Sequence, residues 1–175
     1  MTYKTQGIII GKKDYRDVDR LFTLYTFEHG KIQAVAQGTR KIESKLAGSL
    51  ELLNHCSFTF AKGKKLDRIA TVDVHETFET IKGNLFSLSA TLYGVDIFNQ
   101  LIKWGMCDEA LFLLLVDFLE SVQKSARQSA QSACVDTFLS KLSAQLGYGE
   151  ALPPLDTDPP SRAYFDLLFK EKVTV

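Results

Sequence analysis

Ten basic residues of the first 65 stand in short groups: Lys12, Lys13 and Arg16; Lys31; Arg40, Lys41 and Lys45; and Lys62, Lys64 and Lys65. Glycines or turn-forming residues accompany most of them, so these cations belong on loops. A loop keeps charge hydrated while rigid flanks fix its direction, an arrangement suited to holding a polyanion rather than to breaking a bond. Each group alone is equally well explained as a solvated turn. Several groups brought to one side of one fold would form an electrostatic footprint for nucleic acid.

Residues able to do covalent chemistry are few. His29, His55 and His75 fall on a turn and two strands at no spacing that matches a metal or nucleophile motif, and ordinary surface or strand roles suffice for them. Gly7, Gly11, Gly30 and Gly38 punctuate strands and turns without forming a phosphate-cradling loop. Asp14, Asp17 and Asp19 alternate as calcium ligands do, but lack the glycine and distal glutamate of such a loop; they are expected to pair with Arg16 and Arg20. Cys56, Cys107 and Cys134 lie far apart, with no Cys-x-x-Cys pair. The expectation is therefore no cofactor, no metal, no enzyme activity and a reducing cytoplasm. Tyr15, Tyr25 and Phe27 could stack bases, although Tyr25 and Phe27 suit a core better.

The formal net charge of zero conceals two unlike parts. Residues 1–68 hold 13 Lys and Arg against 7 Asp and Glu, and the remainder holds 8 against 14, so a +6 front is balanced by a −6 back. Such asymmetry fits a polyanion-facing front. The apolar run at Gly7–Ile10 is too short for a signal peptide, and the run at Ala110–Val116, closed by Asp117, suits a core helix and no membrane span.

Hydrophobic periodicity supplies the elements that would hold these groups. Period-2 alternation or β-rich composition predicts strands at 3–11, 20–27, 31–37, 52–61 and 65–74, with Lys12–Asp19 as the loop after the first. On the fifth strand Ala70, Val72 and Val74 share a face, and residues 44–50 read as a short helix between strands three and four. Five strands with a helix in that place is the order of the OB-fold barrel, whose first and fourth loops and second and third strands are its usual oligonucleotide surface. After Thr77, a plausible N-cap, the period becomes 3.6. One helix with two apolar stripes runs on to Trp104, a nearly all-apolar one follows at 110–122, Ser121–Ser132 connects, and a third occupies 133–146. All four prolines, at 153, 154, 159 and 160, fall in the tail. The fold class is thus α+β: an OB domain over 1–76, a helical domain over 77–148, and a proline-rich tail over 149–175 packed on the helices.

The run from Lys13 to Thr26, then His29-Gly30-Lys31, Ala34 to Gly38, Arg40-Lys41 and Ser44 to Gly48, resembles the RecO family of bacterial recombination mediators. The resemblance implies an OB-fold that binds single- and double-stranded DNA and anneals complementary strands coated with single-strand-binding protein (SSB). It also implies work with RecR to load RecA in gap repair and homologous recombination, contact between the SSB C-terminal tail and the helical domain, and a cytoplasmic, nucleoid-associated location. Many members follow the Leu-Gly-Tyr element, here Leu146-Gly147-Tyr148, with a four-cysteine zinc module; the corresponding segment here has no cysteine, so no zinc site is expected. The alternative is an adaptor whose barrel binds acidic protein tails without touching DNA. A nuclease using the Asp14–Asp19 loop is the third reading.

Overall fold

The computed structural model describes residues 1–39 and 46–149. Five strands, β1 (Thr2–Tyr15), β2 (Asp19–Thr26), β3 (Gly30–Ala36), β4 (His55–Ala61) and β5 (Asp67–Glu76), close a barrel in the order β1-β2-β3-β5-β4. Neighbours are antiparallel except β3 and β5, which pair in parallel at Ala34–Asp67 and Val35–Arg68. This is the expected five-stranded OB barrel. Alternation places Ile9, Phe22, Leu24, Ala34, Ala36, Cys56, Phe58 and Phe60 inside, with Ile69 and Leu50 closing the core.

Bulges account for most departures from the expected strands. Opposite β2, Ile9 pairs with Leu24 and Gly11 with Thr23, so Ile10 is the extra residue; beyond it β1 continues to Tyr15, opposite Asp19. The expected eight-residue loop is therefore only Arg16–Val18, and Lys12 and Lys13 are strand residues. On β5, Phe60 pairs with Ile69 and Thr59 with Thr71, which leaves Ala70 unpaired and shifts the faces. Ile69 therefore enters the core, while Val74 is 38% exposed. β4 begins only at His55 because Leu53, at φ +73°, leaves the strand and gives its N–H to the Ile9 carbonyl at 2.8 Å. Of the expected short helix at 44–50, the first part lies outside the described residues, and Leu46–Ser49 form a turn whose end returns two N–H groups to the Leu46 carbonyl.

Four helices follow: α1 (Glu79–Lys82), α2 (Leu85–Leu101), α3 (Glu109–Lys124) and α4 (Gln128–Gln145). The single long helix expected from Thr77 is broken after Lys82, because Asn84 Oδ1 accepts the Ser87 N–H at 3.0 Å and starts a new helix. Phe78, at φ +55°, stands at the N-cap of α1 in place of Thr77. α4 begins at Gln128, within the expected connector, where buried Gln131 donates through Nε2 to the Ser125 carbonyl at 2.7 Å and fastens the polar first turn. The described residues form two compact units: those of Met1–Thr77 with Ile102–Glu109, and Phe78–Leu101 with the described residues from Ala110. In the second, the Phe118 and Phe138 rings stack 4.2 Å apart beside Gly94, where a Cβ would press on both. Among the described residues no helix is long and apolar enough to cross a membrane. The tail beyond Gly149 lies outside the described residues.

Candidate nucleic-acid interface

A groove of about 500 Å³ lies where the β1–β2 hairpin tip, the β4–β5 loop and the end of β3 meet. Tyr15 and Arg16 line it from the tip, Lys64, Lys65 and Leu66 from the loop, Arg68 from β5, and Val35 and Gln37 from β3 and its exit. Among the described residues, four cations therefore share this concavity with one carboxylate, Asp19. That carboxylate is committed elsewhere: its Oδ1 accepts the Gly38 N–H at 2.8 Å.

Local chemistry explains why these elements hold their shape. Arg16 takes a left-handed conformation at φ +54°, which lets three residues reverse the chain, and its guanidinium lies 5.2 Å from the Tyr15 ring. On the same ribbon Arg20 Nε donates to Asp14 Oδ1 at 3.4 Å, so the expected acid–base pairing is present there. The β4–β5 loop turns on Gly63, where a Cβ would overlap the Leu66 carbonyl. Asp67 braces that loop, accepting the Gly63 N–H at 3.1 Å and the Tyr3 hydroxyl at 2.6 Å. Burial, then this hydrogen bond to a carboxylate, raises the Tyr3 pKa and keeps the donor protonated.

Of the sequence-expected cations, the structure brings Arg16, Lys64 and Lys65 into this groove. Lys13 is exposed on β1, opposite Leu21. Lys12 donates to Glu51 at 2.7 Å, and Lys62 lies 5.5 Å from the Tyr3 ring. Arg40, Lys41 and Lys45 lie outside the described residues. Arg68 was missed by the sequence reading: it sits inside a strand, and only the parallel pairing with Val35 carries it to the groove.

Lys31 is a correction. It is 8% exposed, its Nζ donates to the Ile102 carbonyl at 3.1 Å, and the ammonium lies 4.4 Å from the Trp104 ring centroid. Desolvation lowers its pKa. The segment Ile102–Glu109 makes this site, because α2 ends at Leu101 and Trp104 is not on a helical stripe. The segment is tied to the barrel at several points. Trp104 bridges Lys31, Gly105 N–H donates to the Lys31 carbonyl at 2.9 Å, and the Cys107 thiol reaches the Phe27 carbonyl at 3.2 Å. Tyr25, fully buried, donates to the Asp108 carbonyl at 3.3 Å, and burial pushes its pKa up to about 12. Gly30, at φ +64°, allows the close approach, since a Cβ there would overlap the Met106 carbonyl group. Of the three candidate stacking aromatics, only Tyr15 lines the groove.

No group of three or more His, Cys, Asp or Glu among the described residues is placed to hold a metal ion. What the groove offers is positive charge, hydrogen-bond donors and an aromatic ring. Residues 1–78 match the family model described as Recombination protein O N terminal. Proteins named DNA repair protein RecO are 31% identical over 120 residues in Moorella thermoacetica (69% of this chain, 45% of that protein) and 31% over 145 residues in Acetivibrio thermocellus (83% and 57%). One from Dehalococcoides mccartyi is 32% identical over 146 residues (83% and 56%). The chain spans about half the length of the curated relatives it matches. The barrel's strand order, the family-model match over residues 1–78 and this set of relatives agree: the chain belongs to the RecO family.

Proposed function

We propose that this chain is a DNA-binding mediator of repair and recombination. It holds the backbone of single- and double-stranded DNA in the groove between the hairpin tip and the β4–β5 loop, and anneals complementary strands without nucleotide or metal. The observation that carries this is the convergence of Arg16, Lys64, Lys65 and Arg68 on one concavity. Cations brought together from separate elements can each neutralise a phosphate, and neutralising phosphates releases counterions. Arg40, Lys41 and Lys45 are assigned further phosphate contacts on their charge alone, and exposed Lys13 and Lys62 contribute at long range. Lys12 is paired with Glu51 and Lys31 is buried, so neither is assigned a phosphate. In the cell the chain acts in the cytoplasm with RecR, helping to load RecA onto SSB-coated DNA. The SSB tail is assigned to the helical unit, where α3 and α4 line a groove of about 320 Å³ with Leu114, Phe118, Phe138, Asp117 and Lys141. The lysine in that groove suits an acidic tail.

Titration of a labelled single strand at several salt concentrations tests the assignment. Replacing Arg16, Lys64, Lys65 and Arg68 together with Ala should flatten the log–log salt slope by about 3, at about 0.7 per phosphate contact. Stability should change by no more than about 0.5 kcal/mol per site, because these side chains are exposed. An unchanged slope places the DNA elsewhere. Binding of an acidic peptide but no oligonucleotide, weakened by the same four changes, would establish the adaptor instead.

A further inference from the structure

We propose that Trp104 is a second contact for single-stranded nucleic acid, a platform on which one base stacks, at the opposite end of β3 from the basic groove. The inference rests on the reading of that groove as a nucleic-acid site.

Trp104 is 57% exposed. A lone exposed apolar side chain is ordinary on a protein surface, but this one is mounted with care. The segment that carries it is fixed to the barrel by the Trp104–Lys31 bridge, by the Gly105 N–H on the Lys31 carbonyl, and by the glycine at position 30 that makes room for the Met106 backbone. An ammonium is costly to bury, yet Lys31 is 8% exposed and its charge lies 4.4 Å from the indole centroid. That charge covers one face of the ring, so the exposed area lies on the remaining face and edge. A rigid, half-open indole is what an unpaired base needs, since every base has a flat face and stacking tolerates any sequence.

Placement links the platform to the groove. Ile32, Ala34 and Ala36 point to the barrel interior, so Lys31, Gln33 and Val35 share the outer row of β3. Lys31 carries Trp104 at one end of that row, and Val35 lines the groove at the other. Four residue-to-residue steps of strand separate them, about 13 Å at roughly 3.3 Å per step. A strand whose phosphates sit in the groove and which follows this row meets the indole within the ~4 to 16 nucleotides that one OB domain covers.

Trp104 is the only tryptophan in the sequence, so indole emission reads this residue alone. The full chain is titrated with an oligothymidylate of about 20 nucleotides, following both tryptophan emission and the anisotropy of a label on the DNA. Quenching that follows the anisotropy isotherm supports the platform. Trp104→Ala should weaken binding about tenfold with the salt slope unchanged, because a stacked base releases no counterion, whereas Trp104→Phe should stay within about threefold of the wild type. DNA binding with unchanged emission, or a folded Trp104→Ala variant of wild-type affinity, overturns the platform and leaves the groove standing. Absence of any oligonucleotide binding overturns both. Should the alanine variant not fold, the wild-type emission and the phenylalanine variant still decide.

Discussion

The two ends of β3 treat the same kind of residue in opposite ways. At the Val35 end, Arg16, Lys64, Lys65 and Arg68 surround a groove. At the Gly30 end, Lys31 is enclosed, hydrogen-bonded to the Ile102 carbonyl and set against the Trp104 ring. A charge that keeps its water is free to exchange small counterions for phosphates, and a charge that has already lost its water is part of the scaffold. Counting basic residues therefore overstates the polyanion surface, and Lys12, held by Glu51, makes the same point on β1.

The sharpest way to break the comparison is to damage the Gly30 end alone. Gly30→Ala adds a methyl group where the Met106 carbonyl stands and forces a side chain into φ +64°. The left-handed conformation costs roughly 1 kcal/mol and overpacking typically 1–3, so a loss of about 3 kcal/mol is expected in chemical denaturation. Gly105→Ala is the control: its φ is +70° but nothing stands within 4 Å of a Cβ, so only the conformational cost applies. If the two substitutions cost the same, the segment Ile102–Glu109 is not clamped against β3 as described.

Alkaline pH probes the same end with a smaller effect. Tyr25 has its pKa pushed up to about 12, against about 10 in an unfolded chain. The folded state thus keeps a proton that the unfolded state releases. This contribution is complete below pH 10 and is lost between about 10 and 12, at up to about 1.4 kcal/mol per pH unit. Denaturation midpoints measured across this range should fall less steeply in Tyr25→Phe than in the wild type. Parallel curves would show that the hydroxyl is not held as its geometry indicates.

Much of the barrel was legible because alternation is a local property. Cys56, Phe58 and Phe60 could be placed together, and so could Ile32, Ala34 and Ala36, from spacing alone. What escaped depends on partners distant in sequence. The bulges at Ile10 and Ala70 appear only once the opposite strand is known, and each moved a side chain from one face to the other. Arg68 reaches the groove through pairing with a strand more than thirty residues earlier. Trp104 fits the apolar period of α2 by spacing, yet the helix ends three residues before it and the indole goes to Lys31. A helical stripe and a tether to a barrel look alike in one dimension, because both call for an apolar side chain at a suitable interval.

The groove end allows the finest test, one that separates charge from fold at a single position. Arg16 combines a left-handed backbone with an exposed guanidinium beside the Tyr15 ring. Replacing it with glycine removes the charge but suits the backbone. The relief of about 1 kcal/mol of conformational strain is offset by the greater freedom of glycine in the unfolded chain, about 0.5–1 kcal/mol, and by the loss of a surface cation–π contact of similar small size. Stability should therefore stay within about 1 kcal/mol of the wild type. Binding should not: with one phosphate contact gone, affinity for a single strand falls for every sequence and the salt slope decreases by about 0.7. Arg16→Ala should lose the same affinity while remaining strained at φ +54°, so the glycine variant should be at least as stable as the alanine variant. Equal affinity of Arg16→Gly and the wild type at low salt would remove the hairpin tip from the interface and leave the groove to Lys64, Lys65 and Arg68.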